Sequence, residues 1–452
     1  YPWVKYSQIV GRDYVSGAME NTTATLHQES AQQNARELVD GNSWESTIAH
    51  ELFHQWFGDY VTAESWSNLT VNESFADYSQ LLWLEYKYGA DEAGFENYTG
   101  MQSYLSSPSS RTKDLVRFYY NDKEDMFDQV SYQKGGRILH MLRNYVGDDA
   151  FFKSLNRYLT ANKFGNGSGH KLRLAFEEVT GKDLNWFFNQ WYFGSGHPKL
   201  EISYGYDTAT QTAKIYIKQT QPGDKLFKLP VAIDLYHGSS KKRYTVWAEN
   251  KADTFSFTGN AKPDLINVDA EKILLAEKKD AKTLAEYIHQ YNYAGKYQDR
   301  RDAIEFAAKN ISNPLAYQLM EKALSDPYFR IRARAIGNFG TAKLTPGTIS
   351  KIEAIAKNDD HTITRAFAID ALAKLKNNAY ADFFIQSTKD SSYSVAGAAL
   401  EALSVLDKNK AYTIANELSK EVNKGRLLAA ITNVIIKTGD ESAFDFITSK
   451  FD

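Results

Sequence analysis

His50-Glu51-Leu52-Phe53-His54 is the segment that most restricts what this chain can fold into. Histidines four apart face the same way on a helix, about 6 Å apart along its axis, close enough to share one metal ion. Glu51 lies about 100° round that helix from His50, out of reach of the ion and placed to polarise a water held by it. Eighteen residues separate His54 from Glu73, enough to end one helix, turn, and return a carboxylate on a second. His50, His54 and Glu73 then make the two-His, one-Glu shell of a hydrolytic zinc site with a fourth position open. A buried, satisfied histidine pair is the plainer alternative, and the third ligand at a workable spacing weighs against it. Imidazole ligands favour zinc over the hard cations, so the expectation is one Zn²⁺ per chain. Asp77, one turn beyond Glu73, is a candidate to accept the outer N–H of a ligating histidine, with a solvent-facing carboxylate as the alternative.

The 452 residues suffice for about three domains, and 43% apolar with 24% charged residues describe a globular protein. With no cysteine, neither disulfides nor thiolate ligands are available, so a metal must rest on His, Asp and Glu. A net charge of −3 gives no basic footprint for nucleic acid. No apolar run reaches the 18 or so residues of a membrane span, and no signal peptide is visible. The cytoplasm and the periplasm or another exported location fit equally well. The opening Tyr1-Pro2-Trp3-Val4-Lys5-Tyr6 has no initiator methionine and reads as the approach to a strand inside a longer protein.

Residues 6–10, 14–15, 17–21 and 22–26 are strand-like. Helical patterns dominate from 43 to 193: one stretch carries the histidines and ends near Gly58, and a second, 67–88, carries Glu73. Further helices are expected at 132–145, 149–162, 171–180 and 184–192, before the break Gly194-Ser195-Gly196-His197-Pro198. From 199 the period becomes two, clearest in Ala213-Lys214-Ile215-Tyr216-Ile217-Lys218, which points to a small β-sandwich over 199–278. Beyond it Ala303-Ile304, Ala335-Ile336, Ala368-Ile369, Ala399-Leu400 and Ala430-Ile431 recur at intervals of 32, 33, 31 and 31 residues, three of them preceded by Asp326, Asp359 or Asp390. That period indicates helix pairs stacked as a HEAT- or armadillo-like solenoid over 279–452.

Three segments together resemble the aminopeptidase N-like family of zinc exopeptidases, a branch of the gluzincins. They are His50 to Asp59 (His-Glu-Leu-Phe-His-Gln-Trp-Phe-Gly-Asp), Asn72-Glu73-Ser74-Phe75-Ala76, and Gly17-Ala18-Met19-Glu20-Asn21, that family's exopeptidase signature. The resemblance is specific over 1–198 and looser over the β segment and the solenoid. It implies a multidomain α+β protein: a mainly helical, thermolysin-like zinc catalytic domain over 1–198, then the sandwich and the HEAT-like repeats. By this resemblance the family's N-terminal β domain is missing, and the chain alone is expected to be weakly active or inactive.

The same resemblance implies removal of N-terminal residues from peptides with a free N-terminus. Zinc would activate a water, with Glu51 as general base and then acid. Glu20 would anchor the substrate's α-amino group, Gly17 and Ala18 would leave a strand backbone open to its main chain, and Met19 would touch its first side chain. Tyr132, in Ser131-Tyr132-Gln133-Lys134-Gly135-Gly136, matches the family's Tyr-x-Lys-Gly position and would steady the oxyanion. Ser74 stands where glycine is usual, a small change that should be tolerated, and Asp59-Tyr60 replaces the commoner Asn-Leu without touching a ligand. An endopeptidase is disfavoured by Glu20, and the family's epoxide hydrolase branch by the intervening β segment. From another class, the alternative is a catalytically impaired scaffold or peptide-binding protein that recruits partners through its helical repeats.

Overall fold

The computed structural model describes residues 1–340, 344–438, 444 and 448. The tail of the repeat segment beyond 438 otherwise lies outside the described residues. The chain forms two compact units, Tyr1–Ala31 with Trp44–Arg300, and Gln32–Ser43 with Arg301–Asp452. The architecture is mixed, helical with small sheets.

The first unit begins with β1 (Ser7–Gly11), β2 (Ala18–Met19) and β3 (Ala24–Gln28), in the order β1-β3-β2. β1 runs parallel to β3 and β2 antiparallel to it, with Ala18 opposite His27 and Met19 opposite Leu26. β2 is therefore an edge, with one side of its backbone unpaired. Gly17, at φ +79°, supplies the left-handed turn that brings the chain into it.

After α1 (Ala35–Val39), which belongs to the second unit, come α2 (Glu45–His54), β4 (Val61–Ala63), α3 (Thr70–Tyr88) and α4 (Ala90–Ser106). α2 ends four residues before Gly58 because the N–H groups of Gln55 and Trp56 turn back onto the carbonyls of Leu52 and Phe53, three residues away. One π-helical turn, Val130–Lys134, leads into α5 (Gly135–Val146), so Tyr132 precedes the α-helix it was expected to open. α6 (Asp148–Asn162), β5 (Gly165–Gly167), α7 (Gly169–Thr180) and α8 (Asn185–Trp191) complete the helical region. Beneath the histidine helix, Phe57 stacks on Phe75 at 4.2 Å and on Phe53 at 5.2 Å, fixing α2 against α3.

β6 (Lys199–Asp207), β7 (Thr212–Gln219), β8 (Leu229–His237), β9 (Ser240–Ala248), β10 (Ala252–Thr258), β11 (Leu265–Val268) and β12 (Glu277–Asp280) form two sheets, ordered β10-β7-β6-β12 and β11-β8-β9. Alternation sets their inner faces: Ala213, Ile215 and Ile217 are buried, as are Val231 and Ile233 of the other sheet. These side chains join the aromatic residues of the helical region in one continuous core. α9 (Leu284–Tyr293) and α10 (Tyr297–Lys309) follow, and α10 crosses from the first unit into the second.

A buried polar cluster ties the end of this unit to α5. Asp299 on α10 is fully buried, 2.7 Å from the Lys272 ammonium and 3.1 Å from the Asn267 amide. The loop carrying Lys272 presents its 272 and 274 carbonyls to the Arg137 guanidinium of α5, at 2.6 and 3.1 Å.

The second unit contains α11 (Pro314–Ala323), α12 (Phe329–Asn338), α13 (Pro346–Asn358), α14 (Thr362–Ala373), α15 (Ala381–Ser387), α16 (Tyr393–Leu406), α17 (Lys408–Leu418) and α18 (Gly425–Thr438). The repeated Ala-Ile or Ala-Leu pairs fall on α10, α12, α14, α16 and α18, and every one of those ten side chains is buried. The recurring aspartates close the turns before α12, α14 and α16. Asp326, Asp359 and Asp390 accept the backbone N–H two residues on, at 2.9, 2.9 and 2.8 Å. Asp359 and Asp390 also take Arg332 and Arg365 from the preceding repeat. α1 is held within this unit: Arg36 donates to the carbonyls of Asp390 and Ser391, and Glu37 pairs with Lys424 at 2.9 Å.

Replacing Asp299 by Ala removes a buried carboxylate from beside the Lys272 ammonium and should cost about 3–5 kcal/mol, read by chemical denaturation. Asp299→Asn, which keeps a hydrogen-bond acceptor, should cost less.

Candidate active site

α2 and α3 bring the three expected ligands together. His50 Nε2 and His54 Nε2 are 3.1 Å apart, and Glu73 Oε2 is 3.3 and 3.4 Å from them. Tetrahedral ligands at zinc bond lengths of 2.0–2.1 Å are separated by about 3.4 Å, so this triangle matches one face of such a shell. The outer nitrogen of His54 is engaged as a metal site requires. His54 Nδ1 lies 2.9 Å from the Phe57 carbonyl, which accepts its N–H, so in the neutral ring Nε2 carries the lone pair. Gly58 permits that contact, because a Cβ there would stand 3.2 Å from His54 Nδ1 and 3.1 Å from its carbonyl oxygen.

Gln80, two turns beyond Glu73 on α3, places its side-chain amide against His50, with Nε2 3.0 Å from His50 Nδ1. Asp77 was the residue expected there; it instead accepts from Gln133 Nε2 at 3.3 Å. Positions four and seven residues after Glu73 both lie on its face of the helix. The seventh is level with His50, and its longer side chain reaches the ring.

The surroundings are rich in carboxylates. A carboxylate oxygen of Glu20, one of Glu51 and a nitrogen of His54 lie within 4.8 Å of one another. Burial raises the Glu51 carboxyl to about 8; His54 opposes the rise, and Glu20 and Glu73 add to it. Burial alone would depress His54, yet Glu73, Glu20 and Glu51 together lift it to about 10. Burial also opposes ionisation of Glu73, but His54 and His50 outweigh it and hold that carboxyl well below its usual range. Burial lowers His50. The pocket thus demands a positive charge between these groups, which the donor set can meet with a divalent cation.

Tyr132 stacks on His50, ring centroids 6.0 Å apart and 13° from parallel. Burial, then the Glu73 carboxylate, push its phenol well above the ordinary value, so it stays protonated and able to donate at neutral pH. A cavity of about 990 Å³ opens here, lined by Met19, Glu20, Asp59, Trp66 and Phe127 beside the ligands and Tyr132. A second, of about 500 Å³, continues past Gly17, Ala18 and Asp77. His50, Glu51, Tyr132 and Ala18 line both.

Ser74, the departure from the family's glycine, is fully buried and bonded. Its hydroxyl lies 2.6 Å from the Thr70 hydroxyl and donates to the Ser131 carbonyl at 2.6 Å, joining α3 to the π turn that carries Tyr132. Gln80 and the Phe57 carbonyl were not singled out from the sequence. Gln80 sits seven residues after Glu73, a helical register that marks it; a backbone carbonyl leaves no such signal.

A His-Glu-x-x-His helix paired with a glutamate-bearing second helix, beneath a short edge strand, defines the metallopeptidase class of site. Residues 1–191 match the Peptidase family M1 domain. Aminopeptidase N of Lactococcus lactis subsp. lactis is 32% identical over 234 residues, covering 48% of this chain and 27% of that protein. Probable aminopeptidase 1 of Saccharolobus solfataricus is 26% identical over 464 residues, 93% of this chain and 56% of that one. Tricorn protease-interacting factor F2 of Thermoplasma volcanium is 30% identical over 49% of this chain and 29% of its own length. The fold is that of Legionella pneumophila aminopeptidase A, solved with aspartic acid, at a TM-score of 0.67 and 16% identity, over 98% of this chain and 54% of that one. The chain spans about a quarter to just over half the length of these curated relatives. Among the described residues no helix is long and apolar enough to cross a membrane.

A Cβ added at Gly135 would lie 1.8 Å from the Ser74 hydroxyl oxygen and 2.5 Å from its Cβ. Gly135→Ala should therefore be strongly destabilising, and Ser74→Gly should cost about 1–2 kcal/mol for the lost hydrogen bonds. The pair is expected to be non-additive, with Ser74→Gly relieving much of the Gly135→Ala penalty in a double-mutant cycle on unfolding free energy.

Proposed function

We propose that the protein is a zinc-dependent aminopeptidase that hydrolyses the first peptide bond of peptides with a free N-terminus. The observation that carries this reading is the ligand triangle of His50, His54 and Glu73 with the Glu20 and Glu51 carboxylates at its side. His50, His54 and Glu73 would hold the metal, one per chain. Zinc bound there supplies a Lewis acid and brings the pKa of water down to about 7.

The chain's own groups do the rest. Glu51 takes a proton from the attacking water and returns it to the leaving amine. Tyr132 donates to the oxyanion that develops at the scissile carbonyl. Glu20 pairs with the substrate ammonium, and the open edge at Gly17, Ala18 and Met19 aligns an extended substrate main chain beside it. An amine anchor this close to the ligands leaves room for one residue between the terminus and the cut. Gln80 orients His50, and Asp77, held by Gln133, lines the side along which the leaving peptide departs.

The same reading assigns residues 1–198 to a thermolysin-like catalytic domain, 199–278 to a β-sandwich packed on it, and 279–452 to HEAT-like repeats. The repeats offer a surface for protein partners. The Thermoplasma relative is named for interaction with tricorn protease, and peptide fragments from a larger protease are a fitting substrate class for an exopeptidase.

The test is hydrolysis of aminoacyl chromogenic substrates by the full-length protein with and without a chelator. Activity should be lost with the metal and restored by zinc. Tyr132→Phe should lower kcat by about 10²–10³ with KM nearly unchanged. Equal rates on free and N-acetylated peptides would sink the aminopeptidase assignment.

A further inference from the structure

Gln55, the residue after His54, caps α2 and is fully buried. Its side-chain amide is saturated. Nε2 donates to the Glu20 carbonyl at 3.0 Å and to Asp59 Oδ2 at 2.7 Å, while Oε1 accepts the Thr23 N–H at 2.8 Å. The Thr23 contact fixes which end is which, since only the oxygen can accept a backbone N–H. Glu20 and Thr23 bracket the turn that leaves β2, closed by the Ala24 N–H on the Asn21 carbonyl at 2.8 Å. Thr23 holds φ +67°, a left-handed conformation that a β-branched residue keeps only under external restraint. β2 is only two residues long and pairs on one side alone, so its own ladder holds this turn weakly.

We propose that Gln55 is a positioning residue that sets the distance between the Glu20 amine anchor and the metal ligands. One side chain spans from the residue beside His54 to the backbone of Glu20, bypassing more than thirty residues of intervening chain. The aminopeptidase would then cut one residue inward because Gln55 acts as its gauge. This inference rests on the aminopeptidase reading and deepens it.

The test is calorimetric binding of leucine hydroxamate and N-acetyl-leucine hydroxamate to the zinc-loaded full-length protein. Both probes engage the metal, and only the first offers an ammonium to Glu20. The wild type should prefer the free amine by about ten- to hundredfold, the range of a charge-assisted hydrogen bond. Gln55→Glu keeps the acceptor for Thr23 but loses the donor to Glu20 and opposes Asp59, so it should lower the melting temperature. Adding Asp59→Asn restores a donor–acceptor pair between those two positions and should recover stability, while the Glu20 carbonyl stays unserved. In that double variant, compared with Asp59→Asn alone, the preference should fall to within about threefold of unity, with zinc content and affinity for the acetylated probe unchanged. Retention of the full preference in the double variant overturns the proposal. Equal weakening of both probes also overturns it, since that marks a general disturbance. No preference in the wild type would remove the aminopeptidase reading, and Gln55's role with it.

Discussion

Three carboxylates, Glu20, Glu51 and Glu73, converge on one buried imidazole pair, and the first unit is arranged around that constraint. Burying a charge without compensation costs several kcal/mol. The site answers in two ways: Glu51 is raised to about 8, and His54 is raised to about 10 by its acidic neighbours. Asp77 follows the same logic, since burial, then Glu96 and Glu73, lift it to about 7. Such a cluster persists only if the backbone cannot relax away from it. The stacked rings of Phe53, Phe57 and Phe75 lock the two helices at the level of the ligands.

The oxyanion side depends on a different kind of support. Tyr132 sits on a π turn, a wide and uncommon backbone form that survives where neighbours hold it. Here Ser74 grips the turn from α3 through the Ser131 carbonyl, and Gly135 gives it room to approach. Arg137, two residues later, is fastened to the loop between β11 and β12. The position of one phenol is thus traceable through α5 to Lys272 and Asp299, well outside the cavity.

Much of this was legible before any coordinates. The spacing of His50, His54 and Glu73 needs only helical geometry, and the Ala-Ile repeat needs only a period near 32 residues. Where the reading fell short, the cause was geometry the chain does not spell locally. Asp77 and Gln80 share a helical face with Glu73, and side-chain reach separated them. α4 has no strong apolar stripe and contains Gly94 and Gly100, residues usually taken as breaks. Gly94 is there for packing, since a Cβ would press on Tyr297 at 3.1 Å, whereas one at Gly100 would meet Gln133 at 3.6 Å, an ordinary contact. Gln55 sits inside a motif already noticed, yet its partners Glu20 and Thr23 lie more than thirty residues upstream.

The excursion of residues 32–43 carries a consequence for how the polypeptide is made. Arg36 meets the carbonyl of Asp390 across 354 positions, so α1 emerges from the ribosome long before its partners exist. At about 5–20 residues per second, it waits on the order of tens of seconds. During that interval α2, which begins two residues past Ser43, is already available to pair with α3. Vectorial synthesis therefore favours completion of the histidine helices first. It also rules out cutting the gene at a single point to recover both units intact, since neither is one uninterrupted stretch of chain.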